Sequence, residues 1–218
     1  MSIDKSAVIA FDMDGVLIDS KSSIFNALNS ALEIFGIRKI ESANGDLIGL
    51  PLVEMLKSAS KYQLNDDQLK AAMQRFRTFN SEYGPQEVKP YENIPRVLET
   101  LSQRFKLVVV TSKLQTAASD LLHSLDLHKH FFGTFGIQKD GENEPKKSIL
   151  KRAQSSVDSV CCNDTKFLAL IGDRSTDVNA AREFNIKAVG ALWGYGDEKE
   201  LQDADILLTE PMDLLKIF

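Results

Sequence analysis

The chain has 218 residues, 43 % hydrophobic and 26 % charged, and a net charge of −5 at pH 7 with histidine neutral. This composition excludes a disordered chain, a coiled coil and a disulfide-stapled miniprotein, and the length suits one core domain carrying a smaller insert. No basic tract offers a grip on nucleic-acid backbone, and no window approaches the ~20 apolar residues of a membrane span, so neither partner is expected.

The start, Met1-Ser2-Ile3-Asp4-Lys5, carries no apolar leader, which points to a cytoplasmic protein. Ala7–Phe11 (AVIAF) then reads as a strand buried on both faces. From about residue 20 to residue 90 the pattern is helical. Ile24, Phe25, Leu28, Ala31, Leu32 and Phe35 form one stripe, with Gly36 as its stop. Pro51 suits a helix first turn ahead of Val53, Leu56 and Ala59. Asp66 or Asp67 caps a third helix bearing Leu69, Met73, Phe76, Phe79 and Tyr83, which Gly84-Pro85 is expected to end. Beyond it, apolar runs alternate with helical stretches. Strong strands are expected at 107–110 and 167–171, weaker ones at 135–137, 188–191 and 206–208. Helices are expected at 94–101, 115–125, 147–153 and 177–184.

Continuous apolar strands alternating with helices predict an α/β fold, a Rossmann-like parallel sheet with helices on both faces. Residues 1–17 and 89–218 make this core, and residues 18–88 an inserted α-helical cap. Cys161 and Cys162 are adjacent, so they are read as reduced thiols that do not bridge. His128 and His130 have no third ligand nearby and are read as surface residues.

Ligands of open parallel sheets bind beyond the carboxyl ends of the strands. There the chain places Asp12-Met13-Asp14-Gly15, Thr111-Ser112-Lys113 and Gly172-Asp173-Arg174-Ser175-Thr176-Asp177. Asp203-Ala204-Asp205 has the same acid spacing without a strand before it and is read as a solvated turn. Converging carboxylates repel one another and need a counter-charge, which Mg²⁺ supplies through hard oxygen ligands. Asp12, the carbonyl of Asp14 and Asp173 are the candidate ligands, with Asp177 behind them. A carboxylate nucleophile beside a cation suits phosphoryl transfer through an aspartyl-phosphate. A second acid then protonates the leaving oxygen and later deprotonates water. Thr111 supplies a hydroxyl to the phosphoryl group. Lys113, Lys139, Lys146 and Lys147 are the candidate ammonium groups.

The tract Phe11-Asp12-Met13-Asp14-Gly15-Val16-Leu17-Ile18-Asp19-Ser20 resembles motif I of the haloacid dehalogenase superfamily. Val110-Thr111-Ser112-Lys113 resembles motif II, and Gly172-Asp173-Arg174-Ser175-Thr176-Asp177 resembles motif IV. The helical block resembles the C1 cap of that superfamily. Ala191-Leu192-Trp193-Gly194-Tyr195-Gly196 resembles its phosphoglycolate-phosphatase-like members. The resemblance implies Asp12 as nucleophile and metal ligand, Asp14 as general acid/base with its carbonyl on Mg²⁺, Thr111 and Ser112 as phosphate ligands, and Asp173 and Asp177 as the metal-site acids. Motif III departs from the usual Lys-Pro order. Here it reads Pro145-Lys146-Lys147, and aligning the following helix assigns Lys146, with Lys147 as the alternative. Asp14 argues against dehalogenase chemistry, in which the halide needs no proton. The stretch 48–52 lacks the lysine of phosphonatases. Gly49 is expected in the cap loop over the substrate. The expected activity is Mg²⁺-dependent hydrolysis of a small phosphorylated metabolite. A phosphomutase, a receiver-like domain and a non-catalytic phosphate-binding protein are the alternatives. The sequence carries no reading of oligomeric state.

Overall fold

The computed structural model describes residues 7–41, 47–139, 143–161 and 165–218. The leader reading at residues 1–5 and Cys162 of the cysteine pair lie outside the described residues. Six strands form one parallel sheet: β1 (Ala7–Phe11), β4 (Lys106–Leu114), β5 (Gly133–Ile137), β6 (Lys166–Gly172), β7 (Lys187–Ala191) and β8 (Ile206–Leu208), in the order β5-β4-β1-β6-β7-β8. This is the doubly wound, Rossmann-like arrangement, with β1 at the centre and a reversal of winding between β1 and β6. Val8, Ile9, Ala10 and Phe11 are fully buried, as are Val108, Val109 and Val110. Each valine, isoleucine and phenylalanine among them contributes about 1.5–3 kcal/mol by leaving water, which fixes these runs at the sheet centre.

Helices α4 (Ile94–Ser102), α5 (Gln115–Ser124), α6 (Lys146–Cys161), α7 (Ser175–Glu183) and the short α8 (Leu214–Ile217) cover the sheet. One apolar cluster lies on each face: Ile9, Phe11, Val109 and Ile171 point into one, and Val8, Ala10, Val108 and Leu170 into the other. The alternation along β1 explains why its sequence is apolar throughout.

The helical insert consists of α1 (Lys21–Glu33), α2 (Leu52–Ala59) and α3 (Asp66–Glu87). It has a core of its own, centred on Ile24, Leu28, Leu32, Leu56, Met73 and Phe76. Two stubs that carry no periodic signal, β2 (Ile18–Asp19) and β3 (Lys89–Pro90), pair antiparallel where the insert leaves and rejoins the sheet.

Three local expectations are corrected. Asn65, not Asp66 or Asp67, caps α3: its side chain accepts from Gln68 N–H at 2.9 Å while Gln68 returns the bond at 3.0 Å. The two aspartates occupy the first turn, where the helix dipole favours them. Nor does α3 stop at Gly84-Pro85; it runs to Glu87. Pro85 removes only one backbone bond in a last turn, and Gly84 is buried there, with Asn80 and Ser23 of α1 beside it. Finally, Thr111, Ser112 and Lys113 belong to β4 rather than following it. The β1 pairing ends at Val109, and the β5 register shifts between Val110 and Leu114. These residues therefore project as extended chain past the end of β1. No helix among the described residues is long and apolar enough to cross a membrane.

Candidate active site

Asp12 leaves β1 at its carboxyl end, where its N–H donates to the carbonyl of Ile171 at 2.8 Å. This bond ties the ends of β1 and β6 together at the switch point, so Asp12 and Asp173 emerge side by side. Their carboxylates and that of Asp177 each place an oxygen within 4.8 Å of the others, all three buried. Gly15 sits at φ +82°, and a Cβ there would stand on the Asp173 carboxylate. The motif therefore needs glycine for conformation and for space.

Lys146, the first residue of α6, is 5 % exposed in its side chain. It lies 3.1 Å from Asp12 Oδ2 and also pairs with Asp177 Oδ1. The other oxygen of Asp177 accepts Arg174 N–H at 3.1 Å, at the start of α7. Lys147 is about half-exposed and pairs with Glu183 at 3.3 Å, outside the cluster. Burial pushes the Asp12 carboxyl up to about 7; Lys146 opposes this, and Asp177 and Asp14 add to it. Burial also raises Asp173, with Asp12 and Asp177 adding to the rise. Burial alone would lower Lys146, but Asp12 and Asp177 more than offset it and hold the ammonium above its usual range.

Two buried oxygens, Asp12 Oδ1 and Asp173 Oδ1, have no hydrogen-bond partner. Leaving buried acceptors unpaired costs free energy unless something else fills their lone pairs. Aspartate oxygens so grouped, with no thiolate or imidazole among them, form a donor set suited to a hard divalent cation such as Mg²⁺.

The Asp14 carboxylate is not part of that cluster. Its Oδ1 accepts from Ser20 Oγ at 2.6 Å, and its Oδ2 lies 3.2 Å from Lys113 Nζ. Thr111 is buried, and its hydroxyl accepts Lys113 N–H at 3.2 Å. Asp12, Asp14, Thr111, Ser112 and Lys113 form the floor of a cavity of about 270 Å³. The insert supplies much of its remaining wall, including Gly49, Leu50, Val53, Met73 and Phe76. The predicted residues Asp12, Asp14, Thr111, Ser112, Lys146, Asp173 and Asp177 thus converge on one sheet edge, and Gly49 lines the cavity from the insert. Lys139 lines the cavity as well.

Several contacts had no counterpart in the sequence reading. Arg174 donates to the Ile48 carbonyl of the insert and, at 2.9 Å, to Glu200. Gly49, at φ +93°, lies over its side chain. Ser20 and Tyr195 meet across 175 positions. Both stood inside noted motifs, but nothing local marks them as partners. Trp193 Nε1 donates to the Val16 carbonyl at 3.1 Å, a packing role in the loop. His128 and His130 lie in a single 3₁₀ turn, with His128 stacked on His123 at 4.0 Å.

Comparison with known proteins follows the same lines. The family model described as haloacid dehalogenase-like hydrolase matches residues 9–191. A phosphoglycolate phosphatase of Aquifex aeolicus is 31 % identical over 213 residues, covering 96 % of this chain and 95 % of that protein. A 5'-nucleotidase of Pseudomonas aeruginosa is 27 % identical over 89 % of this chain and 86 % of its own length. A solved structure of a haloacid dehalogenase-like hydrolase from Streptococcus pneumoniae superposes with a TM-score of 0.83 at 27 % identity, covering 97 % of each chain.

Proposed function

Since the chain belongs to the haloacid dehalogenase-like hydrolase family and is a phosphatase, we propose that it hydrolyses small phosphomonoesters with Mg²⁺, through an aspartyl-phosphate on Asp12. The observation that carries this reading is the pair of unpartnered buried oxygens on Asp12 and Asp173, with Lys146 against the same carboxylates.

Asp12, Asp173 and the Asp14 carbonyl would hold the Mg²⁺, and Asp177 would orient Lys146 and the ends of β6 and α7. Bound there, the cation supplies positive charge against the phosphoryl oxygens and the attacking carboxylate. Asp12 attacks phosphorus, and the bond to the leaving oxygen breaks as the new P–O bond forms. Asp14, as general acid, gives a proton to the leaving alkoxide. It then takes a proton from the water that hydrolyses the aspartyl-phosphate. Thr111 and the backbone N–H of Ser112 hold phosphoryl oxygens, and Lys146 neutralises charge beside Asp12.

Residues 18–88 act as the cap in this reading, joined to the core by the β2–β3 pair. The substrate's organic body lies between cap and core, against walls that are largely apolar, so shape and burial select it more than charge does. Cap closure excludes bulk water during phosphoryl transfer.

The test is a panel of glycolate, sugar, nucleoside and nitrophenyl phosphates with Mg²⁺. The expected result is release of inorganic phosphate that stops in EDTA and is absent in Asp12→Asn. No turnover across the panel, or full turnover in Asp12→Asn, overturns the reading.

A further inference from the structure

Tyr195 has no role in the chemistry above, yet its polar contacts lead into it. Its backbone N–H donates to Asp173 Oδ2 at 2.8 Å. Its hydroxyl oxygen accepts Ser20 N–H at 2.8 Å, and the same hydroxyl donates to Asp19 Oδ1 at 3.2 Å. The Ser20 hydroxyl is 3.4 Å away. Ser20, 1 % exposed, donates its one hydroxyl proton to Asp14 Oδ1 at 2.6 Å.

Two features make this chain of contacts specific. Ser20 is the residue before α1, where a serine ordinarily accepts a backbone N–H of the first turn, but it makes no such bond. Its hydroxyl serves Asp14 instead. The loop must also lie hard against the site for Tyr195 to reach both carboxylates. A Cβ on Gly194 would meet Asp173 and, at 2.5 Å, the Gly15 carbonyl. Burial raises the Tyr195 phenol above its usual range.

We propose that Tyr195 is a positioning residue for proton transfer: its hydroxyl fixes Ser20, and Ser20 fixes the Asp14 carboxyl toward the leaving oxygen. The same residue's N–H sets Asp173, so the Trp-Gly-Tyr-Gly loop registers the acid against the metal-site carboxylate. Ser20 also opens the helical insert, directly after β2. This assignment rests on the phosphatase reading, with Asp14 as general acid.

Tyr195→Phe removes the hydroxyl and keeps the ring and the backbone N–H. The probes are 2-phosphoglycolate, whose alkoxide needs a proton to leave, and p-nitrophenyl phosphate, whose nitrophenolate leaves without one. A well-placed general acid contributes about 10²–10⁴-fold, so partial loss of placement removes about tenfold or more. In single-turnover quench the variant should cleave 2-phosphoglycolate at least about tenfold more slowly. Its nitrophenolate burst should fall less than about threefold, and KM for both probes should change little. Ser20→Ala should give the same split, and the double variant should be no slower than Ser20→Ala alone, because the two residues act in series.

Equal losses on both probes, or multiplicative losses in the double variant, overturn the proposal. If Tyr195→Phe does not fold, Ser20→Ala decides alone: an equal loss on both probes refutes it. Absence of turnover by the unmodified enzyme refutes the phosphatase reading instead, so the two failures are distinct.

Discussion

Replacing Lys146 with methionine deletes a buried cation while keeping most of its volume. The side chain is 5 % exposed, and its partners Asp12 and Asp177 are 3 % and 1 % exposed. Breaking a buried ion pair from one side leaves uncompensated charge and costs about 3–5 kcal/mol. For a chain of this length, each kcal/mol moves Tm by about 2–4 °C, so Lys146→Met should lower Tm by about 6–20 °C in EDTA. Mg²⁺ should return part of the loss, since it brings charge to the same carboxylates. Turnover should fall by about 10²–10³-fold, the scale of losing one fixed group that stabilises developing charge. Lys147→Met is the matched control. Its pair with Glu183 is exposed on both sides, and its loss should cost less than about 0.5 kcal/mol and leave kcat within about twofold. Thermal unfolding and p-nitrophenyl phosphate kinetics on both variants are decisive. If Lys146→Met keeps wild-type Tm and kcat, or if Lys147→Met loses them, the assignment of the motif lysine is refuted.

Two further outcomes are expected. In EDTA, the folded state holds the Asp12 proton up to about pH 7, whereas an unfolded aspartate releases it near 3.8. Between those values the native state binds more protons, so stability falls as pH rises, by up to about 1.4 kcal/mol per pH unit. Unfolding at pH 5.5 and 8 should show a larger drop for the wild type than for Asp12→Asn, in which Asp173 still carries a raised carboxyl, and an equal drop in both refutes it. Val53 forms part of the cap wall of the cavity and is half-buried. Val53→Gln should raise KM for p-nitrophenyl phosphate by about tenfold, the effect of about 1.4 kcal/mol of lost apolar contact, with kcat nearly unchanged. An unchanged KM would show that the ring does not lie against that wall.

The sheet and its acids were legible because buried parallel strands are continuous apolar runs. Ala7–Phe11 and 167–171 announce themselves, and Asp12 and Asp173 follow at their ends. Composition could not separate Lys146 from Lys147. On a helix they point about 100° apart, and only the packing of α6 decides which one meets Asp12. The β2–β3 pair is two residues long on each side and leaves no period to detect. Gly84-Pro85 is a sound stop signal in isolation, but tertiary packing of Gly84 against α1 outweighed it. The Ser20–Tyr195 and Arg174–Ile48 contacts join residues more than a hundred positions apart. Neither end carries a periodicity or a spacing that names the other.

The modest net charge of −5 conceals how unevenly the acids are placed. At the sheet edge, four carboxylates stand against the ammonium groups of Lys113 and Lys146, an excess of two negative charges in a largely buried space. At about 6 Å and an effective dielectric near 20, each unopposed pair of charges is worth about 3 kcal/mol. Such an edge repels a phosphate dianion. Two things relieve it: a proton, which Asp12 holds up to about 7 mainly because of its burial, with Asp177 and Asp14 adding to the rise, or a divalent cation, which cancels the excess outright. In the proposed reaction a proton on Asp12 would disable it as nucleophile, whereas a cation would leave Asp12 free to attack and turn the same edge into an anion acceptor. In the proposed reaction metal and substrate would then enter as linked ligands, each raising the affinity for the other by the same factor. On the proposed reading, the acid cluster suits phosphate and a divalent cation together better than it suits phosphate alone.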